Sequence, residues 1–242
     1  MKFIDAKTGK RVFPWNIKTI DAKEYIRGDY RYTYRKALRG WEVRVVDNTK
    51  SEYGPILKSI ADKPIKSLGL AFCNCESLVR APIIPERVVR LSGAFMNCIS
   101  LQEAPVIPED VEDMCFAFSG CKALLEAPDI PDSVVDMEST FARCNSLVDS
   151  PLIPNYVRNM AYAFSCCESL KIAPVIPAGV TNMEATFEHC IGLRGVVQID
   201  ADPQQYECCF RGVDFVKQGI TLTGWSSMHN ELGRTGKNYY KV

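Results

Sequence analysis

The chain has 242 residues, and its 29 Lys and Arg balance its 29 Asp and Glu. It has no run of about eighteen apolar residues, which argues against a membrane-spanning helix. The polar start argues against a secretory signal peptide. The odd number of cysteines, 11, then favours reduced thiols over a disulfide framework. We therefore expect a cytoplasmic protein, with a cell-surface or extracellular location as the alternative.

Residues 1–56 are predicted to form a small α+β cap. Gly9, within the segment KTGK, favours a hairpin turn. Asp21 followed by Glu24 predicts a helix start, and Gly28 predicts its end. The alternating segment WEVRVV, which begins at Trp41, predicts a strand. Such a cap would cover the first unit of a repeat structure, whose ends need protection from solvent.

Basic and aromatic residues alternate within this cap. The candidate set is Tyr30, Arg31, Tyr32, Arg35 and Lys36. Arginine beside aromatic rings suits phosphate contact combined with base stacking, so nucleic acid is a candidate partner of the cap. We favour the alternative that the basic cap docks onto the acidic region that follows.

Residues 57–205 carry about six copies of a 23-residue repeat with the consensus MxxxFxxCxSLxxAPxIPxxVxx. Phenylalanine, cysteine and leucine recur at fixed positions in each copy. The first three copies have Phe72, Cys75 and Leu78, then Phe95, Cys98 and Leu101, then Phe118, Cys121 and Leu124. One such unit cannot bury its apolar residues alone, whereas stacked units form a continuous core. The pattern predicts an α/β repeat solenoid.

Each repeat is expected to contribute short parallel strands at SLxxA and VxxM. The AFxxC segment is expected to form a helical or 3-10 turn, because Phe and Cys three residues apart share a face there. Prolines lie where the chain turns and cannot donate to a strand ladder. The segments VEDMCFAFSGCKAL, VRNMAYAFSCCESL and VTNMEATFEHCIGL closely resemble BspA-type leucine-rich repeats of bacterial surface proteins. This resemblance implies a parallel-sheet solenoid with a binding role.

Residues 206–242 are predicted to cap the other end. A decayed repeat begins near Tyr206 and keeps Phe210, but Val213 replaces the cysteine. The segments GITLTGW and KNYYKV are plausible strands.

The sequence carries no recognisable catalytic or metal-binding set. The cysteine spacing of 23 residues does not match zinc-finger spacing, and a small buried apolar side chain explains the column better. His189 directly precedes Cys190, so the two side chains should face different ways and form no nucleophile–base pair. We therefore expect a non-enzymatic protein without metal or cofactor.

The variable repeat positions are the candidate binding residues. Residues 1–66 carry 16 basic and 8 acidic side chains, a net charge of +8, whereas residues 67–205 carry 8 and 18, a net charge of −10. This asymmetry favours a protein partner with a basic surface. The candidate contacts are Glu103, Glu126, Asp149, Asp113, Asp136, Phe116 and Tyr162.

The mostly apolar column between the prolines allows two interpretations. It contains Ile83, Val106, Asp129, Leu152 and Val175. A place in the core is favoured, and an exposed contact stripe is the alternative.

Protein binding by the repeats is the leading functional hypothesis. The alternatives are an intracellular inhibitor or cofactor of a nucleic-acid-handling enzyme, of phage origin, and a fragment of a cell-surface adhesin.

Overall fold

The computed structural model describes residues 3–12 and 24–225. Its first part is a sheet with the strand order β2-β1-β3-β4-β5-β7-β6. The bounds are β1 Phe3–Asp5, β2 Arg11–Val12, β3 Glu24–Arg27, β4 Tyr30–Arg35, β5 Gly40–Val45, β6 Ser59–Ile60 and β7 Lys63–Ser67. The β1–β2 hairpin and the strand at Trp41 agree with the sequence-based prediction.

The prediction of a helix in the first part of the cap is wrong. Glu24–Arg27 is a strand that pairs antiparallel with β4, and Gly28 forms the tight turn between them with a φ of 57°. Asp21 lies outside the described residues. Tyr25 and its partner Tyr32 are both buried, so aromatic packing across two strands outweighs the local helix signals. Among the described cap residues the helical content is one 3-10 turn, Lys36–Leu38.

The sheet continues from the cap into the repeats. Strand β5 pairs in parallel with β7, and Ser67 at the end of β7 bridges Arg90. The predicted domain boundaries, 1–56, 57–205 and 206–242, stay a prediction.

Each repeat forms one rung, and parallel bridges in two columns join most of the neighbouring rungs. The first ladder contains Ser67, Arg90, Asp113, Asp136, Asn159, Asn182 and Gln205. The second ladder contains Arg80, Glu103, Glu126, Asp149 and Ile172. Every bridge joins residues 23 positions apart. The bridging residues lie within the segments expected to be strands, although each rung contributes only a single bridged residue to each ladder.

The AFxxC segments are neither α-helical nor 3-10 helical among residues 67–194. Cys75 N–H donates to the Phe72 carbonyl at 3.0 Å, but Phe72 N–H donates to Ala94 of the next rung at 2.8 Å. In a helix, the backbone N–H and C=O groups of these residues would form hydrogen bonds within the same rung. Instead, turns inside a rung alternate with hydrogen bonds between rungs. The expected helical turn is therefore replaced by a series of tight turns.

Left-handed residues explain why the turns do not continue as a helix. Two positions of each rung have positive φ, and a left-handed residue ends a right-handed helical path. The first left-handed column contains Leu70, Gly93, Phe116, Ser139, Tyr162, Ala185 and Cys208. The second left-handed column contains Asn74, Asn97, Gly120, Arg143, Cys166, His189 and Gly212.

A stack of phenylalanine rings forms the axis of the core. The rings are nearly parallel, with centroids 5.2–5.8 Å apart, and they are Phe72, Phe95, Phe118, Phe141, Phe164, Phe187 and Phe210. Tyr30 and Tyr53 pack edge-on against the first ring, and Phe215 packs edge-on against the last. The stack is thus closed by aromatic contacts at both ends, which keeps its terminal faces from water.

The C-terminal part contains β8 Gly195–Ile199, the short helix α1 Phe215–Gln218 and β9 Ile220–Gly224. Strands β8 and β9 are parallel, so the strand predicted at GITLTGW is confirmed. Val213 is buried in the place of the cysteine column. The segment KNYYKV lies outside the described residues. No helix among the described residues is long and apolar enough to cross a membrane.

Candidate partner-binding surface

The second ladder is an exposed, mostly acidic column. Glu103, Glu126 and Asp149 are exposed and lie on consecutive rungs, as the sequence predicts for residues of one column. Arg80 lies 3.5 Å from Glu103, with both side chains 69% exposed. An ion pair this exposed contributes little to stability. The carboxylates of this column are therefore exposed to a partner, and the weak Arg80–Glu103 pair neutralises little of their charge.

The apolar column between the prolines is exposed, so the prediction that it lies in the core is wrong. Ile83 and Val106 are each 89% exposed, and Leu152 is 91% exposed. Their neighbours Ile84 and Ile107 are buried. Adjacent residues of an extended segment face opposite sides, so only one of each pair can enter the core. The exposed contact stripe, weighed as the alternative, is what the structure contains.

These two columns border a groove of about 850 Å³. It follows two adjacent rungs and is lined by Gln102–Ile107, Glu109 and Leu125–Asp132. Five carboxylates line it, those of Glu103, Glu109, Glu126, Asp129 and Asp132, and no basic side chain does. The lining thus combines acidic groups with prolines and with the exposed side chains of Val106 and Leu125.

Asp113 and Asp136 belong to the first ladder and have a structural role that the sequence analysis missed. Each side chain accepts a hydrogen bond from the backbone N–H two residues later, at 3.0 and 2.9 Å. Asn159 and Asn182 do the same at 3.1 and 3.0 Å. The repeated Asp or Asn at one column position is the signal that could have indicated this turn.

A cluster of possible metal ligands lies beside this ladder. Cys115, Asp136 and Glu138 each offer an atom, and these atoms lie within 4.8 Å of one another. Burial, followed by the nearby carboxylates, raises the pKa of the Cys115 thiol to about 12. The thiol is therefore protonated at neutral pH, and a cation would have to displace that proton to use the sulfur.

Phe116 and Tyr162 lie in the first left-handed column, where they are 38% and 37% exposed. Tyr162 donates a hydrogen bond to Glu184 at 2.6 Å. Ser139 of the rung between them separates the two rings. The structure therefore presents them as single, partly exposed aromatics and not as one patch.

The tyrosines of the basic cap are core residues. Tyr30 is 2% exposed and donates to the Gly54 carbonyl at 2.5 Å, and Tyr32 is 1% exposed. Burial raises the pKa of both phenols. Their rings pack inside the cap and cannot stack on a base.

Two of the candidate basic side chains, those of Arg31 and Arg35, are exposed and form ion pairs within the cap. Arg31 pairs with Glu24, and Arg35 pairs with Glu42. Lys36 is exposed. Lys58 contacts Glu86 of the first rung at 3.1 Å. The cap meets the repeats through the parallel pairing of β5 with β7 and through the aromatic contacts of Tyr30 and Tyr53 with Phe72.

The cysteine column is part of the core, and its thiols have a backbone partner. Each donates to the phenylalanine carbonyl of the preceding rung at 3.0–3.2 Å, and the donors are Cys98, Cys121, Cys144, Cys167 and Cys190. All 11 cysteines are free. Burial raises the pKa of these thiols, which keeps them protonated. His189 is exposed whereas Cys190 is buried, so this adjacent pair forms no nucleophile–base arrangement.

The family model of the BspA type leucine rich repeat region matches residues 67–194 in six copies. No curated protein gives a significant match.

Three solved structures have a similar fold. A leucine-rich repeat protein from T. pallidum is 23% identical, with a TM-score of 0.64, and the match covers 86% of this chain and 94% of that one. A leucine-rich repeat protein from Bacteroides ovatus is 21% identical, with a TM-score of 0.61, and the match covers 82% and 57%.

The third is a leucine rich cell surface protein from Faecalibacterium prausnitzii. It is 22% identical, with a TM-score of 0.53, and the match covers 76% of this chain and 56% of that one. This chain thus matches little more than half of the Bacteroides and Faecalibacterium proteins. The comparisons do not support the expected cytoplasmic location.

Proposed function

The chain belongs to the BspA-type leucine-rich repeat family, and from this premise we propose that it is a non-catalytic module that binds a protein with a basic surface. The binding surface is the second ladder together with the exposed apolar column between the prolines. The observation that carries the proposal is the placement of Glu103, Glu126 and Asp149 beside exposed Val106 and Leu152. Charged and apolar groups are thus offered to a partner on one surface.

The two kinds of group would act at different steps of binding. A surface of one charge sign attracts an oppositely charged partner and raises the association rate by about 10- to 1000-fold at low ionic strength. The apolar side chains then supply contact area that leaves water on binding, at roughly 25 cal/mol per Å². Residues 67–205, with their net charge of −10 (8 basic against 18 acidic residues), provide the long-range attraction.

A cell-surface location fits this role better than a cytoplasmic one. The support is that this chain shares its fold with the leucine rich cell surface protein of Faecalibacterium prausnitzii. Fractionation of the native host cells, followed by detection of the protein, would test it.

Charge reversal tests the binding surface. The variant Glu103→Lys, Glu126→Lys, Asp149→Lys is compared with the wild-type protein in affinity capture from native lysate, with mass spectrometry as the readout. The control Glu76→Lys, Glu168→Lys, Glu207→Lys changes the net charge equally at exposed residues outside the second ladder. We expect the first variant to lose at least about tenfold of the captured partner, whereas the control keeps it. Equal capture by both variants would contradict the proposal.

A further inference from the structure

We propose that the groove along the rungs of Glu103 and Glu126 binds an extended peptide segment in which basic and apolar residues alternate. This inference rests on the proposed function and deepens it. It specifies that recognition in the groove is of a linear segment and not of a folded basic surface.

The second ladder is interrupted at this groove. Gln102 N–H donates to the Val79 carbonyl at 3.2 Å, and Val148 N–H donates to the Leu125 carbonyl at 3.3 Å. Leu125 occupies the equivalent position on the rung between those of Gln102 and Val148, and its N–H makes no backbone hydrogen bond within the described chain. Glu103 likewise forms no bridge with Glu126, although bridges join Arg80 to Glu103 and Glu126 to Asp149.

The interruption leaves backbone groups available at the groove. Gln102 and Leu125 both line it, and the Gln102 carbonyl accepts no backbone hydrogen bond from the described residues. One main-chain donor and one main-chain acceptor of groove-lining residues therefore have no backbone partner within the described chain. An extended peptide carries main-chain donors and acceptors that can pair with such groups.

The charge of the lining selects a basic segment. Its five carboxylates have no basic neighbour within the lining, and among the residues that the structure describes only Glu103 has an ion-pair partner, the exposed Arg80. The carboxylates of Glu126, Asp129 and Asp132 lie on one rung and those of Glu103 and Glu109 on the other. Lys or Arg side chains of a segment in the groove would meet acidic groups from both rungs, which favours binding at low ionic strength.

The shape and the apolar walls select an extended segment. The groove volume of about 850 Å³ lies within the range of ligand pockets and is large enough for several side chains of a bound segment. Val106 and Leu125 present exposed apolar side chains to it. Alternate residues of an extended segment point to opposite sides, so basic and apolar residues can reach different walls.

The binding test uses short fluorescent peptides and the full chain, with fluorescence anisotropy as the readout. We expect a peptide of alternating lysine and valine to bind. Peptides of alternating glutamate and valine, or of lysine and serine, should bind at least about tenfold more weakly. Failure of the lysine–valine peptide to bind at low ionic strength would overturn the proposal, as would equal binding of all three peptides.

Two variants with matched controls locate the site. Val106→Ser should weaken the lysine–valine peptide about fivefold or more, whereas Leu152→Ser, in the same column but outside the groove, should leave its affinity unchanged. Asp129→Lys should weaken binding about tenfold, and Glu168→Lys should not. Each of these side chains is exposed, so the fold should be retained, and circular dichroism checks this. Equal effects of variant and control would overturn the assignment to the groove.

The two proposals fail in distinguishable ways. If charge reversal abolishes capture of a partner but the lysine–valine peptide does not bind, the proposed function stands and the peptide groove is rejected. If the peptide binds in the groove but charge reversal leaves capture unchanged, the acidic column is rejected as the partner-binding surface.

Discussion

At the scale of single residues, the cysteine column shows how a side chain suits a crowded core. The thiol of Cys121 is small enough for the space beside the phenylalanine stack and donates to the Phe95 carbonyl of the preceding rung at 3.2 Å. It combines the packing of a small apolar residue with a weak hydrogen bond. The cysteines thus have a structural role that requires neither metal nor redox chemistry.

Stability should fall in alkaline solution because of these thiols. Burial raises the pKa of Cys121 to about 12, whereas an unfolded cysteine ionises near 8.5. The stabilising contribution is therefore complete below about pH 8.5 and is lost as the pH rises towards 12. We expect the free energy of unfolding, measured with urea, to decrease between pH 8.5 and 10 by up to about 1.4 kcal/mol per pH unit for each such thiol.

The variant Cys121→Ala isolates this effect. It lacks one titrating thiol, so its free energy of unfolding should decrease less steeply with pH than that of the wild-type protein, whatever its stability at neutral pH. Identical slopes would show that the Cys121 thiol ionises as readily in the folded state as in the unfolded state.

At the scale of elements, the turn segments depend on left-handed residues at two positions of every rung. Glycine adopts positive φ without steric cost, whereas other residues pay about 1–2 kcal/mol. The second left-handed column contains both kinds, since Gly120 has a φ of 77° and Arg143, one rung later, has a φ of 60°. The same turn therefore stores backbone strain in some rungs and not in others.

Substitutions at Gly120 and Arg143 should have opposite effects on the free energy of unfolding. Gly120→Ala should lower the free energy of unfolding by about 1 kcal/mol or more, because its added Cβ would also clash with the side chain of Asn97. Arg143→Gly should raise it or leave it unchanged, since relief of strain offsets the greater flexibility of the unfolded chain. Urea unfolding of both variants checks this. A stability loss in Arg143→Gly as large as that in Gly120→Ala would mean that φ does not govern the site.

At the scale of the whole molecule, the repeats depend on what closes their ends. Phe72 at the start of the ring stack is covered by Tyr30 and Tyr53, and strand β5 supplies a parallel partner to β7. Loss of these contacts would expose an aromatic ring and an open strand edge, both of which promote aggregation.

Deletion of residues 1–56 should therefore expose the first rung. We expect the shortened chain to bind the dye ANS more strongly than the full chain and to self-associate in size-exclusion chromatography with light scattering. A monomeric shortened chain with unchanged dye binding would show that the repeats are stable without the cap.

The columns of the repeat could be identified from the amino-acid sequence alone. The recurrence of Phe, Cys and Leu indicated a stacked core, and the 23-residue spacing assigned Glu103, Glu126 and Asp149 to equivalent positions of consecutive rungs. Such columns follow from repetition alone, because a residue and its equivalent in the next copy occupy equivalent environments.

The direction in which each column faces, and the turns between the columns, follow from contacts in the folded chain. Val106 is exposed although the sequence favoured a place in the core, and Tyr30, a candidate for contact with nucleic acid, is buried. Glu24–Arg27 is a strand because its neighbours offer a sheet, and the turns are left-handed because hydrogen bonds run between rungs. The interruption of the ladder at Leu125 has no signature in the repeat. These features depend on contacts between residues distant in sequence, which a local pattern does not specify.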